Sequence, residues 1–479
     1  MLLSSIAEQL GVVSIDGPTD RHIERVVYDS RNAQPADLFV AIRGERVDSR
    51  RFVPDLDVAA VLADGPVSAR SGVTVIQVAN AREALAMAAA TIAGHPAQKM
   101  PVVGITGTNG KTTVTWMLES IIAASGQTSG VIGTTGHRIA GRQIPATHTT
   151  PEAPVLQDLL RQMAEENCAA ALMEVSSIGV VMHRADAIPF RAGVFTSFSR
   201  DHLDFHADMD EYLQAKARLF HTLLDRDGTA VLNADEPACA DVNTGGRRTW
   251  KYGLGPTADF RGLNLHSTVG GTHFQIVSPM GSHAVQLNLM GTHNVSNALG
   301  AFATGCALGI DVEDIIAGLE NLKAIPGRLE TVPNDRGIHV LVDYAHTPDA
   351  LRSVLEFLRP LTRGRILSVF GCGGSRDPGK RPEMGAAAAH GSDWVFVTSD
   401  NPRHEDPMAI IESIVSGIDG PYTADPDRRS AIAAAIHSAK PDDIVLIAGK
   451  GHETTQITGS NETPFDDRIV AAEILGAMQ

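Results

Sequence analysis

The stretch VVGITGTNGKTTVTWML, Val102 to Leu118, decides the reading of this chain. Its apolar start reads as a buried strand, its Gly, Thr and Asn residues as a loop, and Lys111-Thr112-Thr113 as the opening of a helix. Glycines at 104, 107 and 110 let backbone N–H groups approach phosphate oxygens, a helix N-terminus favours anions, Lys111 supplies positive charge, and the hydroxyl of Thr112 can ligate Mg2+. The usual phosphate loop places four residues between its first Gly and the Gly-Lys-Ser/Thr, and counting back from Gly110 puts Ile105 where that first Gly belongs. This departure of one residue speaks against a generic GTPase and for a subclass. A plain glycine-rich turn is the alternative, but it gives no reason for Gly-Lys-Thr-Thr at a helix start.

Working outward, short apolar runs alternate with helical patterns from Pro101 onward: PVVGIT, AALMEV, AGVFTSF and GTAVLNA, with helices such as VTWMLESIIAASG between them. That alternation predicts a parallel sheet covered by helices. Around Phe260 to Leu289 the texture changes to short alternating strands broken by glycines, which predicts hairpins. Boundaries fit AGHPAQKMP, where an alanine-rich helical pattern ends in Gly and Pro, and LKAIPGRLE. After the second boundary, IHVLVDYA, RILSVFGCGG, DWVFVTSD and DIVLIAGKG give four more buried strands, each ending in a polar or glycine-rich loop. Ligands of open parallel sheets gather at the carboxyl ends of the strands, so these loops are candidate walls of one site. The expected fold is α/β in three domains: a small N-terminal α/β domain over 1–98, a central P-loop-type mononucleotide-binding parallel sheet over 99–324, and a Rossmann-like domain over 325–479.

Composition narrows the class. A chain of 479 residues exceeds one ordinary domain, and a prior of roughly 150 residues per domain gives about three. Hydrophobic residues at 43% and charged residues at 20% are ordinary for a globular protein. The net charge of −16 argues against non-specific nucleic-acid binding, which needs clustered Lys and Arg. Cys168, Cys239, Cys306 and Cys372 are scattered and form no CxxC pair, so a disulfide framework and a thiolate zinc site are not expected, and a reducing cytoplasm fits. MLLSSIAEQLGVV lacks the features of a signal peptide, and no apolar run is long enough to span a membrane.

Several residues carry two readings each. Glu174, ending the strand of MEVSSIGVVMHR, is either a solvated strand terminus or, beside a phosphate loop, a ligand for Mg2+, which prefers oxygen donors. His202 and His206 in SFSRDHLDFHADMDEYLQAKARLF have helical metal-pair spacing but no third partner, so surface histidines are the plainer reading. Lys216, taken alone, reads as a solvated helix lysine. In LMGTHNVSNALGA the simple reading is a helix start with Asn294 as its cap.

GITGTNGKTT resembles the ATP loop of the Mur (muropeptide) ligases and their relative folylpolyglutamate synthetase, and the resemblance runs essentially the whole length of the chain. It implies ATP at Gly107, Thr108, Asn109, Gly110, Lys111, Thr112 and Thr113, with His293, Asn294, Asn297 and Arg328. Magnesium, two ions, would be held by Thr112, Glu174, His202 and a carbamylated Lys216, and Lys111, Glu174, His202 and Lys216 would form the catalytic set. In the last domain PGRLE, VDYAHTPDAL, FGCGGSRDPGKRPEM, DNPRHEDP and AGKGHE match, in order, landmarks of the family branch that adds the third residue of the peptidoglycan peptide. There Arg376, Asp400, Asn401, Arg403, Gly449 and Glu453 would bind the incoming amino acid, and Arg403 resembles the residue that recognises meso-diaminopimelate. A planar guanidinium suits that substrate's free carboxylate. YDSRNAQPADLFVAIRG is similar to the family's uridine-nucleotide stretch, which folylpolyglutamate synthetase lacks. Ser30 would touch the nucleotide, and Thr149, Thr150, Ser176 and Arg184 the muramoyl-peptide of UDP-MurNAc-L-Ala-D-Glu.

The expected protein is a cytoplasmic, monomeric enzyme, without nucleic-acid partner or membrane insertion, in which three sites on separate domains close for turnover. Ile178, Met182, Ser375 and the GERVDSRRF loop depart from the family pattern without touching the expected metal ligands. Two rivals stand beside this reading: a ligase adding lysine, ornithine or LL-diaminopimelate, and a nucleotide-driven switch protein.

Overall fold

The computed structural model describes residues 1–44, 47–203, 205–268 and 270–477; Glu45 and Arg46 of the GERVDSRRF loop and Asp204 of RDHLDFH lie outside the described residues. The described residues form two compact units, one comprising Met1–Asn264, Phe274–Val285 and His293–Asn321, the other Leu265–His273, Gln286–Thr292 and the chain from Leu322 onward.

The first unit opens with a five-stranded sheet of β1 (Val12–Asp16), β2 (Arg25–Val27), β3 (Asp37–Ala41), β4 (Ala60–Ala63) and β5 (Thr74–Val78), ordered β1-β5-β4-β3-β2. β2 to β5 run parallel and β1 closes the edge antiparallel to β5. The Ala81–Ile92 helix is started by Asn80, whose side chain accepts from the N–H groups of Arg82 and Glu83, the work of an N-cap. Its buried face is almost all alanine, so it lies close on the sheet.

The loop-bearing sheet has eleven strands: β6 (Val102–Thr106), β7 (Ser129–Ile132), β8 (His137–Ile139), β9 (Arg142–Ile144), β10 (Ala170–Glu174), β11 (Phe190–Phe195), β12 (Leu224–Asn233), β13 (Arg248–Gly253), β14 (Phe260–Thr268), β15 (Gly271–Ser278) and β16 (Gly281–Leu287). Their order is β16-β15-β14-β13-β12-β11-β6-β10-β7-β8-β9. The strands β12, β11, β6, β10 and β7 pair in parallel, as the sequence predicts, and β8 and β9 add an antiparallel edge. β6, at the centre, is buried on both faces, and Gly104 within it leaves no room for a side chain: a Cβ there would lie 2.9 Å from Leu219 and Phe190. The stretch from Phe260 forms three strands, as expected from its glycines, with Gly281 (φ +115°) opening β16 directly after the turn from β15.

The second unit holds a six-stranded sheet of β17 (Glu330–Val332), β18 (His339–Asp343), β19 (Ile366–Phe370), β20 (Trp394–Val397), β21 (Tyr422–Ala424) and β22 (Ile444–Ala448), ordered β17-β18-β22-β19-β20-β21. The four strands read from the sequence are its parallel centre. Their near-continuous apolar runs follow from having a core on each face, Leu341, Phe370 and Leu446 packing to one side and Val340, Val369 and Ile447 to the other. Each such side chain, fully buried, contributes roughly 1.5–3 kcal/mol.

Candidate functional site

The loop after β6 is built by strain that only glycine tolerates. Gly107 sits at φ +144° and Gly110 at φ +87°, and a Cβ on Gly107 would collide with the Thr196 hydroxyl. The loop is tied to the segment after β11: the N–H of Thr108 donates to Ser197 O at 2.8 Å, the N–H of Asn109 to Ser197 Oγ at 2.9 Å, and the Thr196 hydroxyl to the carbonyls of Thr106 and Asn109. The Lys111–Ala124 helix follows, with Val114 N–H to Gly110 O as an early helical bond. The N–H groups of a helix's first turn have no intrahelical acceptor, which suits this end of the helix to an anion. Lys111 Nζ donates to the carbonyls of Gly107 and Thr108, 2.8 Å each, which lays the ammonium across the loop. Thr112 and Thr113 are buried at the helix start. Asn297 is seated against Gly110 and donates to Asn294 at 3.3 Å. Asn294 is the third residue of the Thr292–Ala307 helix and not its cap, and His293 stands beside it in the first turn.

Glu174 ends β10 in register with Ile105, so it stands on the strand next to the loop. It is 1% exposed, which overturns the reading of a solvated strand terminus. The hydroxyl of Thr134 donates to one carboxylate oxygen at 2.8 Å and its N–H reaches the other at 3.3 Å. The same threonine hydroxyl meets Thr149 at 3.0 Å. Thr150 donates to Glu174 O at 2.9 Å and shares a hydrogen bond with Ser176 at 3.1 Å; Arg184 donates to Thr150 O at 2.8 Å and forks onto Glu152. The structure thus gathers Thr149, Thr150, Ser176 and Arg184 around the end of β10. Ser30 opens a short turn capped by Asp29, and Tyr28 just before it is raised by burial and by Glu152, with Arg184 opposing. The expected nucleotide and peptide residues therefore share one neighbourhood. Ile178 and Met182 belong to the short helix Ser177–Val181 and its C-terminal cap.

Lys216, on the Met209–Arg218 helix, is 1% exposed, the opposite of a solvated helix lysine. Its Nζ donates to Gly107 O at 2.9 Å and lies 4.4 Å from the centre of the Tyr212 ring. Burial, followed by the nearby charge of Lys111, pushes its pKa well below the ordinary lysine range. That lowering favours the neutral amine, the form that can add carbon dioxide to become a carbamate, and a carbamate would suit an oxygen-ligand set for Mg2+ together with Glu174 and the Thr112 hydroxyl. His202 is half-exposed at φ +52°; its ring neighbours are Tyr212, edge-on at 6.0 Å, and Asp201. His206, in contrast to the surface reading, is buried and paired with Ser177 at 2.9 Å. Among the described residues, no three His, Cys, Asp or Glu side chains converge as a metal cluster.

In the second unit the strand-end loops supply the remaining residues. Asn401 donates to Glu453 Oε2 at 2.9 Å, and Lys450, fully buried, donates to Asn401 Oδ1 at 3.1 Å and to Glu453 Oε2 at 3.0 Å. Gly449 (φ +109°) packs on Asp400, where a Cβ would lie 2.9 Å from Oδ2. Arg403, at φ +52°, donates to Gly374 O at 2.8 Å, and its own N–H bonds Ile457 O at 3.0 Å. Arg376 is exposed two residues on from Gly374, and Ser375, at φ +55°, uses its N–H on Glu405. Arg328 lies over the Tyr344 ring at 5.3 Å. Beside it Asp343 accepts from the N–H groups of Leu329 and Ala345, and its pKa is raised by burial against the pull of Arg328. Lys450 and Thr134 were not singled out from the sequence. Lys450 lies within AGKGHE and could have been found there; nothing in the residues around Thr134 marks it.

A lysine-bearing phosphate loop, a buried carboxylate on the adjacent strand and a second sheet whose strand-end loops carry Arg, Asn and Glu side chains define an α/β enzyme that uses a nucleoside triphosphate. Residues 105–305 match the Mur ligase middle domain and residues 327–451 the Mur ligase, glutamate ligase domain. The UDP-N-acetylmuramoyl-L-alanyl-D-glutamate--2,6-diaminopimelate ligase of Geobacter metallireducens is 41% identical over 98% of this chain and 97% of its own. The protein of that name from Gloeobacter violaceus is 44% identical over 95% and 94%. A solved ligase of the same name matches at TM-score 0.75 and 32% identity, covering 100% of this chain and 99% of that one. A MurF from Acinetobacter baumannii, at TM-score 0.64 and 20% identity, shares the fold. The chain belongs to the Mur ligase family, whose members are ATP-dependent amide ligases. Among the described residues, no helix is long and apolar enough to cross a membrane.

Proposed function

We propose that the chain adds meso-2,6-diaminopimelate to UDP-N-acetylmuramoyl-L-alanyl-D-glutamate at the expense of ATP, in the cytoplasm, as a step of peptidoglycan synthesis. The observation that carries this reading is the full-length similarity to ligases of that name together with Arg403, held by Gly374 and Ile457 in the Asn-Pro-Arg turn. The γ-carboxylate of D-glutamate attacks the terminal phosphorus of ATP, giving an acyl phosphate and ADP. The amine then attacks the acyl carbon, phosphate leaves, and the nitrogen gives up a proton to form the amide. Two anions must meet in line, so the chain's task is charge control. Lys111 and the helix N-terminus behind it hold the phosphates, with Asn294, Asn297, His293 and Arg328 on the nucleotide.

Two Mg2+ ions, held by Thr112, Glu174, His202 and carbamylated Lys216, would supply neutralisation of the transferring phosphoryl group. Ser30, Thr149, Thr150, Ser176 and Arg184 position the nucleotide-peptide. In the amino-acid pocket Glu453 has one oxygen committed to Asn401 and Lys450, which leaves the other to receive the substrate ammonium. Arg376 and Arg403 meet carboxylate, and Asp400 and Gly449 shape the wall. The three domains over 1–98, 99–324 and 325–479 divide these tasks. The test is phosphate release: it should require the nucleotide-linked dipeptide and diaminopimelate together, and release without the amino acid would support a nucleotide switch instead.

A further inference from the structure

Arg428 is one of the largest fully buried side chains of the molecule, and the reaction as described above gives it nothing to do. It begins the Arg428–Ser438 helix, on a segment that contributes no residue to the amino-acid pocket. Its Nε and Nη2 each donate to the Asp467 carboxylate at 2.7 Å, a fork in which both partners are 0% exposed. Its remaining donors reach two backbone carbonyls: Nη1 donates to Ser399 O at 3.2 Å and Nη2 to Ala448 O at 3.0 Å. Those two carbonyls stand directly before Asp400 and Gly449.

Ser399 follows β20 and Ala448 ends β22, strands that are not neighbours, because β19 runs between them. No ladder hydrogen bond can therefore fix the distance between the Asp400–Arg403 loop and the Gly449–Glu453 loop. The guanidinium spans that gap. Burial opposes its charge, but Asp467, with Asp400 and Glu453 adding, keeps it protonated. A buried ion pair is a poor source of net stability compared with apolar packing, and fixing one geometry is the use such pairs serve best. Lysine could carry the charge but not the planar fork plus two carbonyls.

We infer that the Arg428–Asp467 pair is the positioning element of the amino-acid pocket, setting the spacing of the two loops so that Asn401 and Glu453 meet and Arg403 and Glu453 bracket one substrate. This inference rests on the assignment of that pocket to the incoming amino acid. A misplacement of about 1 Å in a binding constellation is worth on the order of a hundredfold in rate. Arg428→Lys should accordingly raise the KM for diaminopimelate by at least about tenfold, leaving the KM values for ATP and for the nucleotide-peptide within about twofold.

A merely structural role would lower the melting temperature and the active fraction with no selective change in KM. If Arg428→Lys does not fold, Asp467→Asn keeps the guanidinium and loosens its anchor, and the same three KM values are read on it. Equal change in all three, or in none, overturns the inference in either variant. Failure of the wild-type enzyme to make any tripeptide would instead overturn the assignment on which the inference stands, so the two failures are distinguishable. If neither variant folds, the pair is a folding determinant and the inference is overturned.

Discussion

At the scale of single residues, the site depends on ionisable groups taken out of water. Lys216 shows it best: an amine at 1% exposure, satisfied by one carbonyl and an aromatic face, beside a second lysine. Such a group is costly for the fold. Lys216→Met should therefore keep or slightly raise the melting temperature while lowering turnover by about a hundredfold or more, the loss expected when one stabiliser of developing charge is removed. Calorimetry and phosphate release on the same preparation check both halves. Glu174→Gln keeps the shape and the Thr134 contact but drops the charge, and should lose activity by a comparable factor with unchanged folding.

Sequence alone did not give the burial of Lys216, Glu174 or His206. A lysine in a polar helix and a glutamate at a strand end look alike whether they face water or the interior, and only the packing of Tyr212 and Thr134, distant in sequence, decides.

At the scale of elements, the strands were legible and their company less so. The eight apolar runs read from the sequence are all strands because continuous burial on both faces leaves a continuous apolar signature. The edge strands β9, β17 and β21, and β8 beside β9, are short and carry no such signature. The Arg428–Asp467 pair was equally hidden, since its members come from two different helices and no periodicity links them.

The loop after β6 was legible because its glycines are demanded by geometry. Gly107→Ala forces a Cβ into Thr196 at a left-handed φ, so it should destabilise by roughly 1–3 kcal/mol and abolish tight ATP binding, measured by denaturation and by calorimetric titration. A second element-level test concerns Asp186, which accepts from His183 at 2.6 Å and from Arg218 at 2.5 Å, while His183 also meets Asn80. Burial alone would raise its carboxyl, yet His183 and Arg218 hold it below the ordinary aspartate value of 3.8. The folded carboxylate thus adds stability above pH 3.8 that is lost as pH falls through its lower folded value. The stability advantage of wild type over Asp186→Asn should be flat at neutral pH and shrink only in that acid window.

At the scale of the whole molecule, both large sheets place their chemistry at the carboxyl ends of parallel strands, the rule for open α/β folds. The loop after β6 and Glu174 belong to one unit, and the Asp400, Arg403 and Glu453 loops to the other. Lesions should therefore act on one substrate at a time: well-separated substitutions with no shared partners are close to additive. Arg403→Ala is expected to leave the KM for ATP unchanged.

The central claim is that a guanidinium in the second unit chooses the nucleophile for a reaction run by the loop of the first. The most direct measurement compares kcat/KM for diaminopimelate and for lysine, wild type against Arg403→Ala, with UDP-MurNAc-L-Ala-D-Glu as acceptor. The account predicts a strong wild-type preference for diaminopimelate that falls by about a hundredfold or more in the variant, while the rate with lysine barely moves. A wild type that prefers lysine, or a variant that keeps its preference for diaminopimelate, would contradict it.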